Sequence, residues 1–237
     1  MPNPYFRFKQ FTIHQDRSAM KVCTDSCILG AWTTTHSASA KKMLDIGTGT
    51  GLLPLMLAQK SNAKIDAIDW DAESCAQALE NCSQSPWSDR IQIFEGDARQ
   101  YHFPSAYDFI ISNPPFFESD LRSPIQKKNL AKHDESLTLD ELIWVIRSSL
   151  LPTGGFSILL PFHRTGYFEE LAVSNGFFLR EKLIVRQSPS HPPFRSILLY
   201  SCQKPEEFVL NELIIKDEAG KYSSEFKMLM KDYYGGD

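Results

Sequence analysis

The stretch Lys41-Lys-Met-Leu-Asp-Ile-Gly-Thr-Gly-Thr-Gly51 decides the fold, because it joins a short apolar strand to a glycine-rich turn. Residues 43–46 are typical of a buried strand, and Leu52–Lys60 predicts the helix that follows. Glycine adopts backbone angles that other residues avoid and lets the chain approach a ligand closely. The G-x-G-x-G spacing lacks the third glycine of dinucleotide-binding turns and the Lys-Ser/Thr pair of phosphate-binding loops. We therefore expect a ligand site at the end of this strand that is neither a dinucleotide-binding turn nor a phosphate-binding loop.

The same order of strand, turn and helix or loop repeats along the next 60 or so residues. Residues 64–70, Ile91–Glu95 and residues 107–111 each predict a strand. An alternation of strands and helices favours a parallel sheet, and ligands bind at the carboxyl ends of parallel strands. Residues 177–187 and 197–203 predict two more strands, which we expect to form an antiparallel hairpin that closes the sheet.

Acidic residues stand at three of these predicted strand ends. Asp45, just before the glycine turn, is placed to hold the turn and to reach the amino-acid end of a ligand. Asp69 is placed to accept hydrogen bonds from two adjacent ribose hydroxyls, whereas Asp71 more readily caps the following helix. Asp97 and the backbone N–H of Ala98 are placed to read the edge of an adenine ring.

The fourth strand end carries Asn113-Pro-Pro-Phe116, which suits a flat substrate that presents an NH2 group. An amine on an aromatic ring is a poor nucleophile, because its lone pair is delocalised. If the Asn113 side-chain oxygen and the Pro114 carbonyl each accept one N–H, the lone pair is freed toward an electrophile. Pro114 and Pro115 stiffen the backbone, and Phe116 is placed to stack on the ring. The alternative is a simple turn, since Asn and Pro are common there.

Two further regions carry polar residues with two possible roles. Thr24 and Asp25 stand where a helix of about residues 26–35 begins, so they cap that helix or touch the ligand. Basic residues alternate with aromatic ones near the start of the chain and are frequent in the polar segment 118–133. We expect these cations either to contact RNA or to lie on solvated surfaces: Arg7, Lys9, Arg122, Lys127, Lys128, Lys132 and His133.

Bulk composition narrows the class of protein. The chain has 237 residues, 42% of them hydrophobic, and a net charge of −4, which disfavours a protein that coats nucleic acid nonspecifically. Five cysteines without paired spacing favour free thiols in a reducing cytoplasm. Cys23 and Cys27 have no second Cys/His pair, so we expect no zinc or other metal. We also find no membrane-spanning run and no signal-peptide core, and expect a soluble cytoplasmic protein.

We expect one α/β domain over residues 1–237. Within it, residues 1–40 form a strand and helix extension, residues 41–204 the catalytic core, and residues 205–237 an added strand and helix.

With these motifs together, the chain resembles the class I S-adenosylmethionine-dependent methyltransferases, and within them the amino-methyltransferases marked by Asn-Pro-Pro-aromatic. It further resembles the bacterial family that methylates adenine N6 in valine tRNA. The segments that carry this resemblance are residues 21–32, 45–51, 111–118, 130–133, Pro161, 222–226 and 232–234. The resemblance implies an α/β Rossmann-like sandwich: a mostly parallel seven-stranded sheet, an antiparallel closing hairpin, and helices on both faces.

The resemblance also implies a reaction and a set of contacts. The methyl group of S-adenosyl-L-methionine would pass to the exocyclic N6 amine of adenine 37, next to the anticodon of valine tRNA. The residues that would bind the donor are Thr24, Asp25, Asp45, Gly47, Gly49, Gly51, Asp69, Asp97, Ala98 and Asn113. Asn113 and Pro114 would hold the target amine, with Pro115 and Phe116 beside it. Many relatives carry Tyr where this chain has Phe116, so stacking is kept but no phenolic hydroxyl is available.

Three alternatives remain open at this point. A guanine-N2 RNA methyltransferase and a protein-glutamine methyltransferase would use the same two acceptor oxygens. From another class, a donor-binding RNA chaperone would lack turnover, although such a protein has no need of Asn113 and Pro114.

Overall fold

An eight-stranded sheet forms the centre of the computed structural model, which describes residues 3–17, 21–115 and 137–235. Its strands are β3 (Lys42–Ile46), β4 (Lys64–Asp69), β5 (Ile91–Glu95), β6 (Tyr107–Ser112), β7 (Leu150–Pro161), β8 (Phe178–Arg186), β9 (Pro193–Ser201) and β10 (Val209–Ile214). They lie in the order β10-β8-β9-β7-β6-β3-β4-β5. Only β9 is antiparallel to its neighbours, β7 and β8.

Helices cover both faces of this sheet. They are α1 (Thr24–Thr34), α2 (Leu52–Lys60), α3 (Ala72–Ser83), α4 (Leu139–Ser149), α5 (Thr165–Ser174) and α6 (Ser224–Met230). A short hairpin, β1 (Tyr5–Arg7) with β2 (Thr12–His14), precedes α1.

Alternate side chains of the strands supply two separate hydrophobic cores. Met43 and Ile111 point to the core shared with α1, α2 and α6. Leu44 and Ile110, one residue away in each strand, point to the core shared with α4 and α5. Because successive side chains in a strand face opposite ways, these continuous apolar strands are buried on both faces. This two-sided burial holds the strands rigidly and leaves only their ends free for a site.

The Rossmann-like α/β class with a closing antiparallel pair is confirmed. The sheet has one strand more than the seven expected, because β10 pairs in parallel with the outer edge of β8. The division into residues 1–40, 41–204 and 205–237 stays a prediction, although the hairpin, α1 and α6 share one core with the central sheet.

Two local predictions were wrong. Residues 137–151 have a helical apolar rhythm, which predicts a helix that the proline and glycines of residues 152–155 end. Residues 152–155 instead lie within β7, where a bulge between Leu150 and Gly155 absorbs the extra residues. Helix α1 begins at Thr24 with Cys23 as its N-cap, and no side chain caps it there. Thr24 and Asp25 therefore belong to the first turn and do not act as the cap. By contrast, Asp71 caps α3 as expected, by accepting from the Ser74 N–H at 3.0 Å.

Six residues named above lie outside the described residues: Phe116, Arg122, Lys127, Lys128, Lys132 and His133.

Candidate active site

The glycine turn lies between β3 and α2 at the carboxyl edge of the parallel strands. Gly47, Gly49 and Gly51 have positive φ angles of 79°, 55° and 79°, a region that favours glycine. A Cβ added to Gly47 or Gly49 would meet no atom within 4 Å, whereas at Gly51 it would meet Cys82 Sγ at 3.1 Å. Gly47 and Gly49 therefore border open space fit for a ligand, and Gly51 is needed for packing.

Asp69 connects this turn to the end of β4. One of its carboxylate oxygens accepts from the Gly49 N–H at 2.8 Å and the other from the Asp71 N–H at 3.1 Å. Burial is the main cause that raises the pKa of Asp69 above its usual value. Asp69 thus lies at the end of β4, as expected, and fixes the shape of the turn, while its contact to a ribose stays a prediction.

Asp45 is a buried carboxyl at the base of the turn. Neither of its oxygens has a hydrogen-bond partner among the described residues. Burial, with a smaller contribution from the charge of Asp69, raises the pKa of Asp45 to about 7. A buried carboxyl without a partner is costly, and a cationic ligand group at the turn would relieve that cost. This observation fits the amino-acid end of S-adenosyl-L-methionine.

Asp97 follows β5 and is held in a small charge network. The Arg99 guanidinium contacts Asp97 at 2.8 Å and Glu141, in the first turn of α4, at 3.0 Å. The hydrogen bonds from Arg99 lower the pKa of the Asp97 carboxyl. Ala98 packs at the margin of the second core. The network joins the end of β5 to α4, and the adenine contact of Asp97 and Ala98 stays a prediction.

Asn113 emerges directly from the end of β6, next to the glycine turn. The Ser112 hydroxyl donates to the Ile46 carbonyl at 2.8 Å and so ties the ends of β6 and β3 together. Asn113 is 9% exposed, Pro114 is buried, and Pro115 is exposed. The amide that was predicted to hold a substrate amine is therefore brought beside the predicted donor turn, in a position shielded from bulk water.

The first turn of α1 contacts Asn113. Asn113 Nδ2 donates to the Ser26 hydroxyl at 2.9 Å. Asp25, which was expected to bind the donor, accepts from Arg195 Nε at 2.8 Å. The donor contacts of Thr24 and Asp25 stay predictions, but the carboxylate of Asp25 is engaged in an ion pair with β9.

The two described cations of the predicted RNA arm lie in different places. Arg7 is exposed and lines a shallow cavity of about 430 Å³ with Tyr5 and His14. Lys9 Nζ donates to the Lys231 carbonyl after α6. That contact lies near the end of α2 remote from the glycine turn, since Lys60 pairs with Asp232. Lys9 therefore stands away from the active edge.

Comparison with known proteins gives this arrangement a family. A family model described as "Methyltransferase small domain" matches residues 24–170. A tRNA1(Val) (adenine(37)-N6)-methyltransferase of Dyadobacter fermentans is 44% identical over 98% of this chain and 98% of its own length. The chain belongs to the tRNA1(Val) (adenine(37)-N6)-methyltransferase family. The resemblance stated from the motifs is thereby confirmed.

Solved structures support the same fold for this family member. A protein of Agrobacterium tumefaciens described as an O-methyltransferase has a TM-score of 0.66 at 16% identity, over 87% of this chain and 95% of its own. A Listeria monocytogenes protein described as a class I S-adenosylmethionine-dependent methyltransferase has a TM-score of 0.62 at 17% identity, over 84% of this chain and 67% of its own. At such identities the likeness shows the fold alone.

Among residues 3–17, 21–115 and 137–235, no group of three or more His, Cys, Asp or Glu side chains is arranged to hold a metal ion. No helix in the same part of the chain has the length and apolar character to cross a membrane.

Sequence reasoning missed three residues of this site. Ser26 lies within the polar run at the start of α1, where only its neighbours were singled out. Arg195 contacts Asp25, and Glu141 contacts Arg99, the partner of Asp97, across long sequence separations. No local pattern signals such pairs, because the tertiary fold alone brings them together.

Proposed function

We propose that this chain transfers the methyl group of S-adenosyl-L-methionine to the exocyclic N6 amine of adenine 37 in tRNA1(Val). The observation that carries the proposal is the position of Asn113 at the end of β6, tied to the glycine turn by the bond from Ser112 to Ile46. The printed name of the relative from Dyadobacter fermentans supports the RNA, the base and the atom.

The residues of the turn would hold the donor. Gly47 and Gly49 leave room for it, Asp45 would offer an unsatisfied carboxylate to its amino-acid end, and Asp69 would accept the ribose hydroxyls at the end of β4. When bound, S-adenosyl-L-methionine supplies an electrophilic methyl group on a sulfonium. Loss of water around the buried Asp45 strengthens its attraction for a cation.

Asn113 and Pro114 would prepare the target amine. The Asn113 side-chain oxygen and the Pro114 carbonyl each accept one N–H, so the nitrogen lone pair turns toward the methyl group. Positioning and electrostatics supply the rate, and no strong general base is required. An adenine in a single-stranded loop reaches such a pocket at less cost than one in a duplex.

A labelling experiment tests this proposal. The protein is incubated with isotopically labelled S-adenosyl-L-methionine and total RNA from a strain that lacks it, and the labelled nucleosides are identified. We expect label in N6-methyladenosine from a valine tRNA. Label in N2-methylguanosine instead, or in a protein glutamine when ribosomal proteins are supplied, would contradict the proposal.

A further inference from the structure

The turn between β7 and α5, Phe162–Arg164, presents three exposed side chains at the edge of the sheet that carries Asn113. Its neighbours on both sides are buried. The last six residues of β7, up to Pro161, are buried, and the buried hydroxyls of Thr165 and Ser196 share a hydrogen bond between α5 and β9. The backbone of the turn is therefore held firmly while its own side chains face solvent.

The pairing of β6 with β7 places this turn close to Asn113. Ser112 pairs with Ile158 in parallel register. Asn113 is therefore level with Leu159, and Phe162 lies three residues beyond that level, which is about 10 Å along a strand. When the target adenine contacts Asn113, the nucleotide next to it comes within reach of the turn.

The side chains at the turn suit a single-stranded nucleotide. Phe162 is 37% exposed, and Tyr167 in the first turn of α5 is 47% exposed. The Arg164 guanidinium lies over the Tyr167 ring, 5.3 Å from its centroid. Asp140 accepts the Tyr167 O–H, but Arg164 itself forms no ion pair with any residue that the structure describes. An exposed ring beside a cation without a counter-ion offers a stacking surface for a base and a contact for its phosphate.

We propose that Phe162, Arg164 and Tyr167, which we call the turn platform, bind the nucleotide next to the target adenine. Phe162 stacks on the base of that nucleotide, and Arg164, held in place by Tyr167, contacts its phosphate. This inference rests on the proposed function, since it requires an RNA whose target base lies at Asn113.

The size of the platform favours RNA over a protein partner. A stable protein–protein interface buries about 1,200–2,000 Å², and three side chains supply only a small part of that area. A base needs no more than one ring on which to stack, and the unpaired nucleotides of an RNA loop expose their bases for such contacts.

The salt dependence of RNA binding tests the cation of the platform. The probe is the anticodon stem-loop of valine tRNA, bound in the presence of S-adenosylhomocysteine so that no turnover occurs, and measured by filter binding. Arg164→Gln should reduce the slope of log K against log salt concentration by about 0.7, the contribution of one phosphate contact on a single strand.

Arg147→Gln is the matched control for the cation. Arg147 is also an exposed arginine that lies over an aromatic ring, at 5.6 Å from the centroid of Phe177. It belongs to the last turn of α4, whereas the first turn of that helix lies at the active edge. Its substitution removes the same charge and should leave the slope unchanged. Equal slopes for Arg164→Gln and Arg147→Gln would overturn the platform.

Substitutions of Phe162 test stacking on the ring. Phe162→Ala should weaken binding of the stem-loop about tenfold, which is within the range for the loss of one stacked base. Phe162→Tyr should keep the wild-type affinity, whereas Phe162→Leu should lose nearly as much as Phe162→Ala, because stacking needs a ring and not merely apolar surface. If Phe162→Ala fails to fold, Phe162→Leu provides the same test.

Phe208→Ala is the matched control for the ring. Phe208 is 50% exposed and directly precedes β10, which runs parallel to β8 and so begins at the opposite edge of the sheet. This variant should bind the stem-loop as tightly as the wild-type protein does. Equal affinities of the Phe162→Ala and Phe208→Ala proteins, or full affinity in Phe162→Leu, would overturn the platform.

Turnover measurements distinguish this binding role from a role in the chemical step. In Phe162→Ala and Arg164→Gln the KM for the stem-loop should rise, with kcat at saturating RNA and the dissociation constant for S-adenosyl-L-methionine unchanged. A loss of kcat at an unchanged KM would contradict the platform, and so would a wild-type protein that does not bind the stem-loop. If the wild-type protein binds it but makes no N6-methyladenosine, the proposed function fails, while the binding of the variants still decides whether the turn contacts RNA.

Discussion

Asn113 is the single residue on which the chemistry depends most. It follows β6 directly, is nearly buried, and is held beside the glycine turn. Asn113→Ala should lower kcat by about 10²-fold or more, because it removes an acceptor that acts on the reacting amine. Donor affinity should stay the same, as measured by titration calorimetry. Equal losses in rate and donor affinity would contradict this role, and Asn175→Ala at the end of α5 is a matched control.

Substitutions at glycines can distinguish loss of space for the ligand from strain in the backbone. Gly49→Ala should weaken donor binding about tenfold or more and cost about 1–2 kcal/mol of stability, because φ is positive and the new methyl group occupies open space. Gly176→Ala is a matched control: its φ is 78°, and nothing lies within 4 Å of the added Cβ. It should lose stability alone, as measured by thermal denaturation and donor titration. Equal donor affinity in both variants would show that the turn does not border the donor.

Asp45 should make the free protein lose stability as pH rises. Its pKa is raised from 3.8 to about 7, so between these values the folded protein holds a proton that the unfolded chain has lost. Stability therefore falls as pH rises through this window and levels off above it. Asp45→Asn lacks this penalty and should gain about 1–3 kcal/mol on the wild-type protein between pH 5 and 8. Parallel urea-denaturation curves at both pH values would contradict a buried, protonated Asp45.

Among the helices and strands, α3 links the β1–β2 hairpin to the glycine turn through the side chain of Asn81. Its side chain donates to the His14 and Thr50 carbonyls at 2.8 Å and accepts from the His14 N–H at 2.9 Å. Asn81→Ala should cost about 2–4 kcal/mol of stability and raise the KM for the donor, because Thr50 belongs to the turn. Ser83→Ala, on the exposed side of α3, should change neither value. An unchanged KM in a folded Asn81→Ala protein would show that the hairpin and the turn are independent.

The elements that could be predicted are those with a strong local signal. Apolar runs gave β3 to β6, and the glycine turn gave the start of α2 at Leu52. The bulge in β7 was missed, because Pro152 and two glycines resemble a helix stop when pairing is ignored. The parallel partner of β10 was also missed, since its register with β8 depends on contacts made by distant residues.

The site residues that could be predicted also carry a strong local signal. Gly47, Asp69 and Asn113 stand at strand ends, and the parallel topology brings strand ends to one edge. The partners of these residues, such as Ser26 for Asn113, come from packing of α1 over the sheet and leave no trace in local spacing. The same applies to Arg99, whose bond to Glu141 joins the end of β5 to α4.

For the molecule as a whole, the distribution of charge should decide how the RNA is held. The net charge is −4, so we expect tRNA binding to depend on a local group of cations and not on the overall charge. Replacing Lys127 and Lys128 with Gln should weaken tRNA binding. It should also reduce the slope of log K against log salt concentration by about 1–2, because each lost phosphate contact contributes about 0.7–0.9 to that slope. Lys41 and Lys64 lie where β3 and β4 begin, at the opposite edge. Their double Gln variant is the control, and equal slopes for the two variants, measured by filter binding, would contradict this account.

We expect the target nitrogen atom to lie between two acceptor oxygen atoms, one from Asn113 and one from Pro114. A crystal structure of the protein with S-adenosylhomocysteine and an anticodon stem-loop of valine tRNA tests it most directly. We expect the N6 amine of the adenine about 3 Å from both Asn113 Oδ1 and the Pro114 carbonyl, facing the sulfur of the bound product. A structure in which the Asn113 amide nitrogen faces the base, or in which the cofactor product lies away from the glycine turn, would contradict the account.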